Sequence, residues 1–501
     1  MSFSISKRII ENCGKYSCNN AYYINGKGYS YEHLKSEILK ITKLLIENIN
    51  NEKLIGVFTN NDIYSYAALY ACWYAGKTFV PLNLENPIGR IQDIIEQTGI
   101  RTVLCSQESY NCDKFSGLNV RYLNIEVKNP ELPEDQLIFP DKDQLAYILF
   151  TSGTTGKPKG VPIHFEALNS FLKFFVTDYD ITENDKFLQI YDIGFDGAVP
   201  SYLAPLCFGA SVYTVPPDEI KYLSAYKLIR KHDLTVVKMT PSILAYFKPF
   251  FKEMLLEKVR YSIFGGEALP ESLANEWSKC VPRAQIQNVY GPTESTVFCL
   301  RYEWESSESI KSNNGIVSIG KPSGDNEFLV IDKKDQILKE GEMGELCVNG
   351  PQLFKGYWHS DKRKEKDKYF YIEKNGKRLK YYKTGDLVFK DTKGNYMFCG
   401  RIDSQIQVQG YRVELGEVEQ HSRDFLGLNN LAAIGVENLQ GTTEIHLFTE
   451  GAKDKETELR NHLLTRLPYY MIPTKIIDLP ELPKSAGGKI DRAKLKKMAL
   501  K

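Results

Sequence analysis

Apolar positions early in the chain recur with a helical period and then with an extended one. The stretch YEHLKSEILKITKLLIENI (31–49) predicts an amphipathic helix whose apolar stripe is formed by Leu34, Ile38, Ile41 and Leu45. LIGVFT (54–59) follows as an unbroken apolar run of strand length. A helix followed by a short buried strand is the unit from which layered α/β sheets are built.

The same order of helix and strand recurs further along the chain. Helical patterns at 64–76 and 222–233 are each followed by a strand pattern, at 79–83 and 234–240. The first part of the chain is therefore predicted to form layered α/β sheets.

The pattern of apolar and turn-forming residues changes towards the end of the chain. From about residue 315, short apolar runs are separated by turn-forming residues, which predicts a β-rich subdomain. In 400–419, alternating apolar residues precede an acidic turn that opens a helix, which indicates a further α+β unit. We predict an α/β protein with a large N-terminal domain over 1–402, including the β-rich subdomain, and a small α+β C-terminal domain over 403–501.

Charge and cysteine content exclude several classes of function. The net charge of +1 gives no reason to expect nucleic acid or an anionic membrane as a partner. The ten cysteines are scattered, with no CxxC pair and no nearby Cys/His cluster, so we expect reduced thiols. No stretch resembles a signal peptide or approaches the ~18 apolar residues of a membrane span. We expect a cytoplasmic protein that acts as a monomer.

The stretch TSGTTGKPKG (151–160) follows the apolar run LAYILF (145–150), at the end of a predicted strand. Loops that bind phosphate commonly lie at this position. A Walker loop has four residues between its glycines and then Lys-Ser/Thr, whereas Gly153 and Gly156 are separated by two residues and Pro158 follows Lys157. Taken alone, the stretch leaves open a phosphate loop and a plain surface turn.

Five further motifs decide between these alternatives because they occur together and in order. They are NVYGPTEST (288–296), YKTGDL (382–387), GRID…GYRVELGEVE (400–419), LPYYMIP (467–473) and LPKSAGGKIDR (482–492). With the stretch at 151–160 they resemble the adenylate-forming superfamily, over roughly residues 20–495. Within it, the chain is similar to amino-acid adenylation domains that serve carrier proteins, D-alanine:carrier-protein ligases among them.

The resemblance implies attack of a substrate carboxylate on the α-phosphorus of ATP, giving an acyl-adenylate and pyrophosphate. A carboxylic acid with a pKa near ~4 is ionised at neutral pH, so this chemistry needs no general base. The implied cofactors are ATP and Mg²⁺. The C-terminal domain is implied to be mobile, with Asp403 as its hinge and with Lys489 bridging the carboxylate and the α-phosphate.

By the same resemblance, the catalytic residues are Lys489, Glu294 and Thr293, and Glu294 also holds Mg²⁺. The residues implied to contact ATP are Thr151, Ser152, Gly153, Thr154, Thr155, Lys159, Gly266, Glu267, Asn288, Val289, Tyr290, Gly291, Pro292, Thr293, Asp386, Arg401 and Lys489. A glutamate at a helix start and a surface salt bridge remain the structural alternatives for Glu294 and for Asp386 with Arg401.

The segment GFDGAV (194–199) aligns with the part of the family that binds an amino-acid substrate. Asp196 is implied to bind the α-ammonium group, and a helix N-cap is its structural alternative. The implied substrate-binding residues are Phe195, Asp196, Lys238, Ser262, Phe264, Val289, Val297 and Lys489, with Gly197, Pro200 and Phe298 beside them. Lys238 either pairs with an anionic substrate side chain or extends its stem to solvent.

One residue departs from the family pattern, because Gln407 stands where many relatives have a lysine. No condensation or carrier segment is recognised, so we expect the acceptor to be a separate carrier protein with a phosphopantetheine arm, or CoA. Two other functions stay open at this stage: an acyl- or aryl-CoA ligase, and an inactive nucleotide-binding scaffold.

Overall fold

The computed structural model describes residues 3–107, 115, 117–126, 128, 130–153, 156–305, 307–359, 365–374, 376–428, 430–438, 440–484 and 490–500. Three of the predicted site residues, Thr154, Thr155 and Lys489, lie outside these ranges. No helix within them is long and apolar enough to cross a membrane.

Helices and strands alternate in the first 164 residues, as the sequence predicts. In chain order they are α1 (Ile5–Lys15), β1 (Asn20–Ile24), β2 (Lys27–Ser30), α2 (Tyr31–Asn48), β3 (Leu54–Thr59), α3 (Ile63–Tyr74), β4 (Thr78–Asn83), α4 (Ile88–Thr98), β5 (Thr102–Cys105), β6 (Arg121–Asn124), β7 (Leu145–Thr151) and β8 (Lys159–His164). Helix α2 begins after Ser30, whose hydroxyl accepts from the backbone N–H of His33 at 3.1 Å. The predicted apolar stripe of α2 is fully buried, which confirms the periodicity.

The second part of the chain repeats the alternation. Its elements are α5 (Phe165–Asp178), β9 (Lys186–Gln189), α6 (Val199–Leu203), β10 (Ser211–Thr214), α7 (Lys221–His232), β11 (Val236–Met239), α8 (Pro241–Phe247), β12 (Tyr261–Gly265), α9 (Glu271–Ser278), β13 (Gln285–Tyr290) and β14 (Leu300–Glu305).

A β-rich region then begins close to the predicted position. Its strands are β15 (Ser312–Asn313), β16 (Ile316–Val317), β17 (Lys321–Pro322), β18 (Glu327–Ile331), β19 (Gly344–Asn349), β20 (Tyr369–Lys374), β21 (Lys377–Lys390) and β22 (Tyr396–Arg401). Strands β18 to β22 form one antiparallel sheet.

Two large sheets organise the first part of the molecule. Strands β6-β5-β3-β4-β7-β8 form a six-stranded sheet, and β17-β14-β13-β12-β11-β9-β10-β1-β2 form a nine-stranded sheet. One hydrophobic core contains residues of both sheets and of their helices, including the fully buried Trp73, Tyr22 and Tyr202. Strands β9, β11, β12 and β13 run parallel, so their carboxyl ends open at one edge, where ligands bind in sheets of this kind.

The last elements form what we call the terminal lobe, residues 405–500. They are β23 (Gln405–Val408), β24 (Tyr411–Glu414), α10 (Leu415–Leu426), β25 (Leu431–Glu437), β26 (Thr443–Thr449), α11 (Glu456–Leu464), β27 (Lys475–Asp478) and α12 (Arg492–Ala499). Two hydrophobic clusters consist of residues of this lobe alone. The domain boundary at 402/403 stays a prediction.

Candidate functional site

Two adjoining cavities open where β11, β12 and β13 end. The larger measures about 110 Å³ and the smaller about 60 Å³. Their shared lining consists of Gly266, Val289, Gly291, Pro292, Gln407 and Arg412. Gln407 and Arg412 come from the terminal lobe, so the site is built by this lobe together with the part of the chain that precedes it.

The larger cavity combines an apolar slot with a buried carboxylate. Its apolar side is formed by Ile316, Val317, Ile319 and Phe398. The residues predicted to contact ATP that line it are Gly266, Glu267, Asn288, Val289, Tyr290, Gly291, Pro292, Asp386 and Arg401. An apolar cavity side beside a hydrogen-bond acceptor has the chemistry needed to hold a nucleoside.

Asp386 lies on β21 with a partner for each of its carboxylate oxygens. Tyr290 donates its hydroxyl to one oxygen at 2.5 Å, and Arg401 Nη1 donates to the other at 2.5 Å. Burial raises the pKa of Asp386 above its ordinary value, and Arg401 and Tyr290 oppose that shift. Arg401 also binds the Asp403 carboxylate through Nε and Nη2, at 2.7 and 2.8 Å. The structure thus joins the predicted ribose acceptor to the predicted hinge through one guanidinium.

Two of the predicted nucleotide residues use their side chains to build the walls. The Glu267 carboxylate accepts from the backbone N–H of Ser242 at 2.8 Å and from that of Gly410 at 2.7 Å. Asn288 Nδ2 donates to the carbonyl of Ser318 at 2.9 Å. Glu267 therefore holds the terminal lobe against the cavity.

The smaller cavity contains Asp196, which is buried and follows Phe195 in a short turn. Burial raises the pKa of Asp196, and the Thr293 hydroxyl and the nearby Lys238 oppose the shift. Its side chain makes no N-cap hydrogen bond to α6 in the described structure. The carboxylate lines the cavity, where the Thr293 hydroxyl and the backbone N–H of Gly197 stabilise its charged form.

Lys238 points inward from β11 and not to solvent, which decides between the two orientations left open by the sequence. Only 6% of the residue is exposed. Its Nζ donates to the carbonyl of Gly197 at 3.0 Å and lies 4.2 Å from the centre of the Tyr191 ring. Burial lowers the pKa of Lys238 to about 8, although Asp196 favours the charged form. A buried ammonium group therefore forms part of the cavity lining.

The structure does not bring Ser262 and Phe264 to this cavity, so their predicted placement is wrong. Lys238 pairs with Ile263 across β11 and β12, so these two side chains share one face of the sheet. Ser262 and Phe264 lie on the opposite face. Ser262 accepts from the indole N–H of Trp277 at 2.9 Å, and the Phe264 ring meets the same indole edge-on.

The predicted assignment is displaced by one residue along β12. Because successive side chains of a strand point to opposite faces of the sheet, this displacement places the predicted residues on the wrong face. Ile263 and Gly265 are the residues of β12 on the face of Lys238. Gly265 lines the cavity, where an added Cβ would lie 2.8 Å from Val289 Cγ2. The other predicted members Gly197, Val289, Val297 and Phe298 line the cavity, and Pro200 is buried in α6.

Strand β7 ends at Thr151 and β8 begins at Lys159, and Ser152 and Gly153 follow directly after β7. The Ser152 hydroxyl donates to the carbonyl of Arg412 at 2.7 Å and accepts from the N–H of Glu414 at 3.0 Å. The N–H of Gly153 donates to Glu417 Oε2 at 2.8 Å. Burial lowers the pKa of Lys159. Ser152 and Gly153, two of the residues predicted to contact ATP, therefore contact the terminal lobe in this arrangement.

Glu294, the predicted Mg²⁺ ligand, is 1% exposed and faces a guanidinium. Arg412 Nη1 lies 2.9 and 2.8 Å from its two oxygens, and the Tyr357 hydroxyl donates to it at 2.5 Å. Burial alone raises the pKa of Glu294, but Arg412 and Tyr357 hold it below the ordinary value. The position suits a cation, because the guanidinium of Arg412 already occupies it.

The described residues hold no group of three or more His, Cys, Asp or Glu side chains arranged to bind a metal. A Mg²⁺ ion at Glu294 would thus have one carboxylate ligand, which is a usual arrangement when phosphate oxygens complete the shell.

The segment after Lys489 packs within the terminal lobe. Arg492 binds Glu419 Oε1 at 2.6 Å and the carbonyl of Ala433 at 2.6 Å. Glu417 and Glu419 lie about 200° apart around α10 at 3.6 residues per turn. Arg492 is therefore on the side of the helix opposite to Gly153, and the catalytic role of Lys489 stays a prediction.

Sequence reasoning gave no role to Arg412, Glu417 or Tyr357. Arg412 and Glu417 belong to the motif GYRVELGEVE, and their place in this motif is the sequence feature that could have indicated a functional role for them. Their partners are more than a hundred residues distant in the chain, and no periodicity links them.

Gln407, where the chain departs from its family pattern, lines both cavities. Its buried Oε1 has no hydrogen-bond partner among the described residues. A neutral amide with a free acceptor thus stands where a lysine was expected.

The family model described as AMP-binding enzyme matches residues 10–358. The chain therefore belongs to the AMP-binding enzyme family, as the motifs predict. It is 29% identical over 493 residues to gramicidin S synthase 1 of Brevibacillus brevis, covering 97% of this chain but 43% of that protein. It is 30% identical over 481 residues to zwittermicin A synthase ZmaJ of Bacillus cereus, covering 92% of this chain and 89% of that protein.

Solved structures share the fold along the whole chain. The Vibrio cholerae adenylation domain AlmE, solved with glycyl-adenosine-5'-phosphate, superposes with a TM-score of 0.85 at 22% identity, covering 100% of this chain and 98% of that one. The o-succinylbenzoate CoA synthetase MenE of Bacillus subtilis superposes with a TM-score of 0.84 at 22% identity, covering 98% and 97%. Both likenesses establish the mixed α/β architecture.

The corrected register of β12 predicts which of its residues affect substrate choice. Ile263→Val removes one methylene on the face of Lys238 and should change the ranking of carboxylate substrates in an ATP–pyrophosphate exchange assay. Ser262→Ala removes the acceptor of the Trp277 N–H and should lower the free energy of unfolding by ~1 kcal/mol without altering that ranking. A ranking changed by Ser262→Ala and unchanged by Ile263→Val would contradict the register.

Proposed function

We propose that this protein activates an amino acid with ATP, forming an aminoacyl-AMP and releasing pyrophosphate, and then transfers the aminoacyl group to a thiol. The observation that carries the proposal is the buried Asp196 carboxylate in a small cavity that adjoins an apolar slot ending at Asp386. A carboxylate in a desolvated cavity favours a cationic ligand, and the α-ammonium group of an amino acid is one.

In the first step, a substrate carboxylate oxygen forms a bond to the α-phosphorus of ATP as the bond to the bridging oxygen of pyrophosphate breaks. The substrate supplies the nucleophile already ionised, so the chain has to align two anions and stabilise charge. Asp196 would hold the ammonium, Asp386 the ribose hydroxyls, and Lys489 the carboxylate and α-phosphate. Mg²⁺ held by Glu294 would neutralise phosphate charge when bound.

In the second step, an acceptor thiol attacks the acyl carbon, AMP leaves and the thiol proton is released. A third cavity of about 90 Å³ shares Tyr191 and Phe195 with the amino-acid cavity and includes Tyr411 and Tyr469 of the terminal lobe. A small cavity lined by residues of the terminal lobe and of the preceding part of the chain suits a slender arm such as phosphopantetheine. We propose a separate carrier protein as the acceptor, with the lobe turning about Asp403 between the steps.

The inward Lys238 supports an amino acid with an anionic side chain. An ammonium group of low exposure in the wall of a small cavity is stabilised by an anion and is poorly matched to an apolar side chain. We propose a short acidic amino acid as the preferred substrate. A CoA ligase acting on a simple acid remains the second candidate, because the fold is shared with MenE.

Substrate-dependent ATP–pyrophosphate exchange tests the proposal directly. We expect exchange with one or a few amino acids, highest with acidic ones, and background exchange with fatty and aryl acids. Exchange with aryl or fatty acids alone would favour the CoA ligase, and background exchange with every acid would favour an inactive scaffold.

Asp196→Asn keeps the shape of the side chain and removes its charge. Because the substrate ammonium would lose its counter-charge in a desolvated cavity, we expect amino-acid-dependent exchange to fall by about 100-fold or more. ATP affinity, measured by calorimetry, should change little, since Asp196 lies in the other cavity. Equal losses of exchange and of ATP affinity would show a general structural role.

The lowered pKa of Lys238 predicts the pH dependence for an acidic substrate. The lysine is charged below pH about 8 and neutral above it, so kcat/KM for an acidic amino acid should fall as the pH rises through about 8. The amino acid that carries a neutral side-chain amide in place of that side-chain carboxylate should show no such decline in kcat/KM. Lys238→Met should remove the decline and weaken acidic substrates selectively. An unchanged substrate ranking in Lys238→Met would retire the acidic preference.

A further inference from the structure

Two opposite charges line the small amino-acid cavity without forming an ion pair. Asp196 and Lys238 are 9% and 6% exposed, and the charge of each acts on the other. Among the described residues no ion pair joins these two side chains, and Lys238 Nζ donates instead to the carbonyl of Gly197 at 3.0 Å. Opposite charges attract strongly when they are poorly hydrated, so their separation needs a structural cause.

The other charged side chains near this cavity already have partners. Arg412, which lines the cavity, pairs with Glu294. Glu267, in the adjoining larger cavity, accepts from the backbone N–H groups of Ser242 and Gly410. The cause of the separation therefore lies among the residues that touch the lysine.

Gly197 contacts both charges through its backbone. Its N–H stabilises the Asp196 carboxylate and its carbonyl accepts from Lys238 Nζ, so the backbone of one residue stands between the two side chains. A Cβ at this position would lie 2.5 Å from Phe195 Cε1 and 3.5 Å from Lys238 Nζ, so glycine leaves the space that this arrangement needs. A single carbonyl fixes one of the three N–H donors of an ammonium group, so a second contact is needed to hold its position.

The second contact is the ring of Tyr191. Strand β9 pairs with β11, so the segment that follows β9 passes beside Lys238. Lys238 Nζ lies 4.2 Å from the centre of the Tyr191 ring, and Tyr191 packs against Phe195 with 5.8 Å between the ring centres. The Tyr191 hydroxyl is buried and has no hydrogen-bond partner among the described residues, so the side chain acts on the ammonium through its ring.

We propose that Tyr191 is a positioning residue whose ring holds the Lys238 ammonium away from Asp196, so that each charge stays free for one end of an acidic amino acid. This inference rests on the proposed amino-acid activation and adds to it a residue that acts through Lys238. If the two side chains paired, the substrate ammonium would lose its carboxylate and the substrate side chain its lysine. An aromatic ring stabilises a cation without carrying a charge of its own, so Asp196 stays unpaired.

The first measurement titrates Lys238 in the unliganded full chain by NMR of labelled lysine Nζ, with Lys238→Met for the assignment. In Tyr191→Leu the ammonium should move to Asp196, and its pKa should rise by at least about one pH unit because an adjacent carboxylate favours the charged form. Tyr191→Phe keeps the ring and should leave this titration unchanged. Tyr191→Leu combined with Asp196→Asn should show no rise.

The second measurement is ATP–pyrophosphate exchange with the amino acid that carries a neutral side-chain amide. Its ammonium group needs Asp196, but its side chain does not need Lys238. Tyr191→Leu should lower kcat/KM by about tenfold or more, since Lys238 then occupies Asp196 in most molecules. Adding Lys238→Met should restore kcat/KM to within about twofold of that of Lys238→Met alone. A merely structural loss would not be repaired by removing a lysine.

Tyr213→Leu is the matched control for the loss of a buried tyrosine beside a basic group. Tyr213 lies on β10, is 5% exposed, and its ring centre is 5.1 Å from that of His232. It is outside the lining of the amino-acid cavity, so its effect on kcat/KM should be the same with and without Lys238→Met. If Tyr191→Leu fails to fold, Tyr191→Met, whose flexible side chain fills the space without a ring, is measured in the same way.

An unchanged or lowered pKa of Lys238 in Tyr191→Leu would overturn the proposal, because the ammonium would then have stayed apart from Asp196 without the ring. So would a loss of exchange that Lys238→Met does not restore. Amino-acid-dependent exchange in the parent protein without these effects would refute only the positioning role of Tyr191. The titration effects without any amino-acid-dependent exchange would refute only the proposed activation.

Discussion

Burial of carboxylates is the constraint on which this site depends. Asp196, Glu294, Asp386 and Glu417 are each at most 9% exposed, and a carboxylate in that position needs a cation or several hydrogen-bond donors. Glu294, Asp386 and Glu417 each form an ion pair with an arginine. The charged form of Asp196 is stabilised by the Thr293 hydroxyl and by the charge of the nearby Lys238. The carboxylate without a direct ionic partner lies in the cavity proposed for a cationic substrate group, and the one paired with Arg412 lies where a metal ion is proposed.

The fold explains why these groups can meet although they are far apart in the chain. Parallel strands of the nine-stranded sheet end at one edge, so the turns after β11, β12 and β13 lie side by side there. The β-rich sheet adds Asp386, and the terminal lobe adds Arg412 and Gln407 from outside. A site to which one lobe adds residues from outside can be opened and closed by moving that lobe, which is what the proposed two-step reaction requires.

Elements with a strong local pattern were predictable from the sequence, and parts of the site were not. The stripe of α2 and the run of β3 were located almost to the residue, because local periodicity determines them. The prediction of which β12 residues face the cavity was wrong. Every residue of Tyr261–Gly265 is buried, so the sequence shows no alternation of apolar and polar residues that would distinguish the two faces of the strand. The orientation of Lys238 was left open because only packing decides it. The contacts of Arg412 and Glu417 join separate lobes and depend on how those lobes dock, about which local sequence carries no information.

Gln407 shows how burial and neighbouring charges limit the residues that such a site accepts. Around the two cavities, the carboxylates are those of Asp196, Glu267, Glu294 and Asp386, and the cationic groups are those of Lys238, Arg401 and Arg412. A lysine at position 407 would add a cation to a poorly hydrated wall that two arginines already border, at a cost in desolvation and in like-charge repulsion. An amide avoids both costs and still offers its unused Oε1 as an acceptor. Because Arg401 and Arg412 already line the larger cavity beside Gln407, a neutral residue at 407 adds no further positive charge to this buried wall.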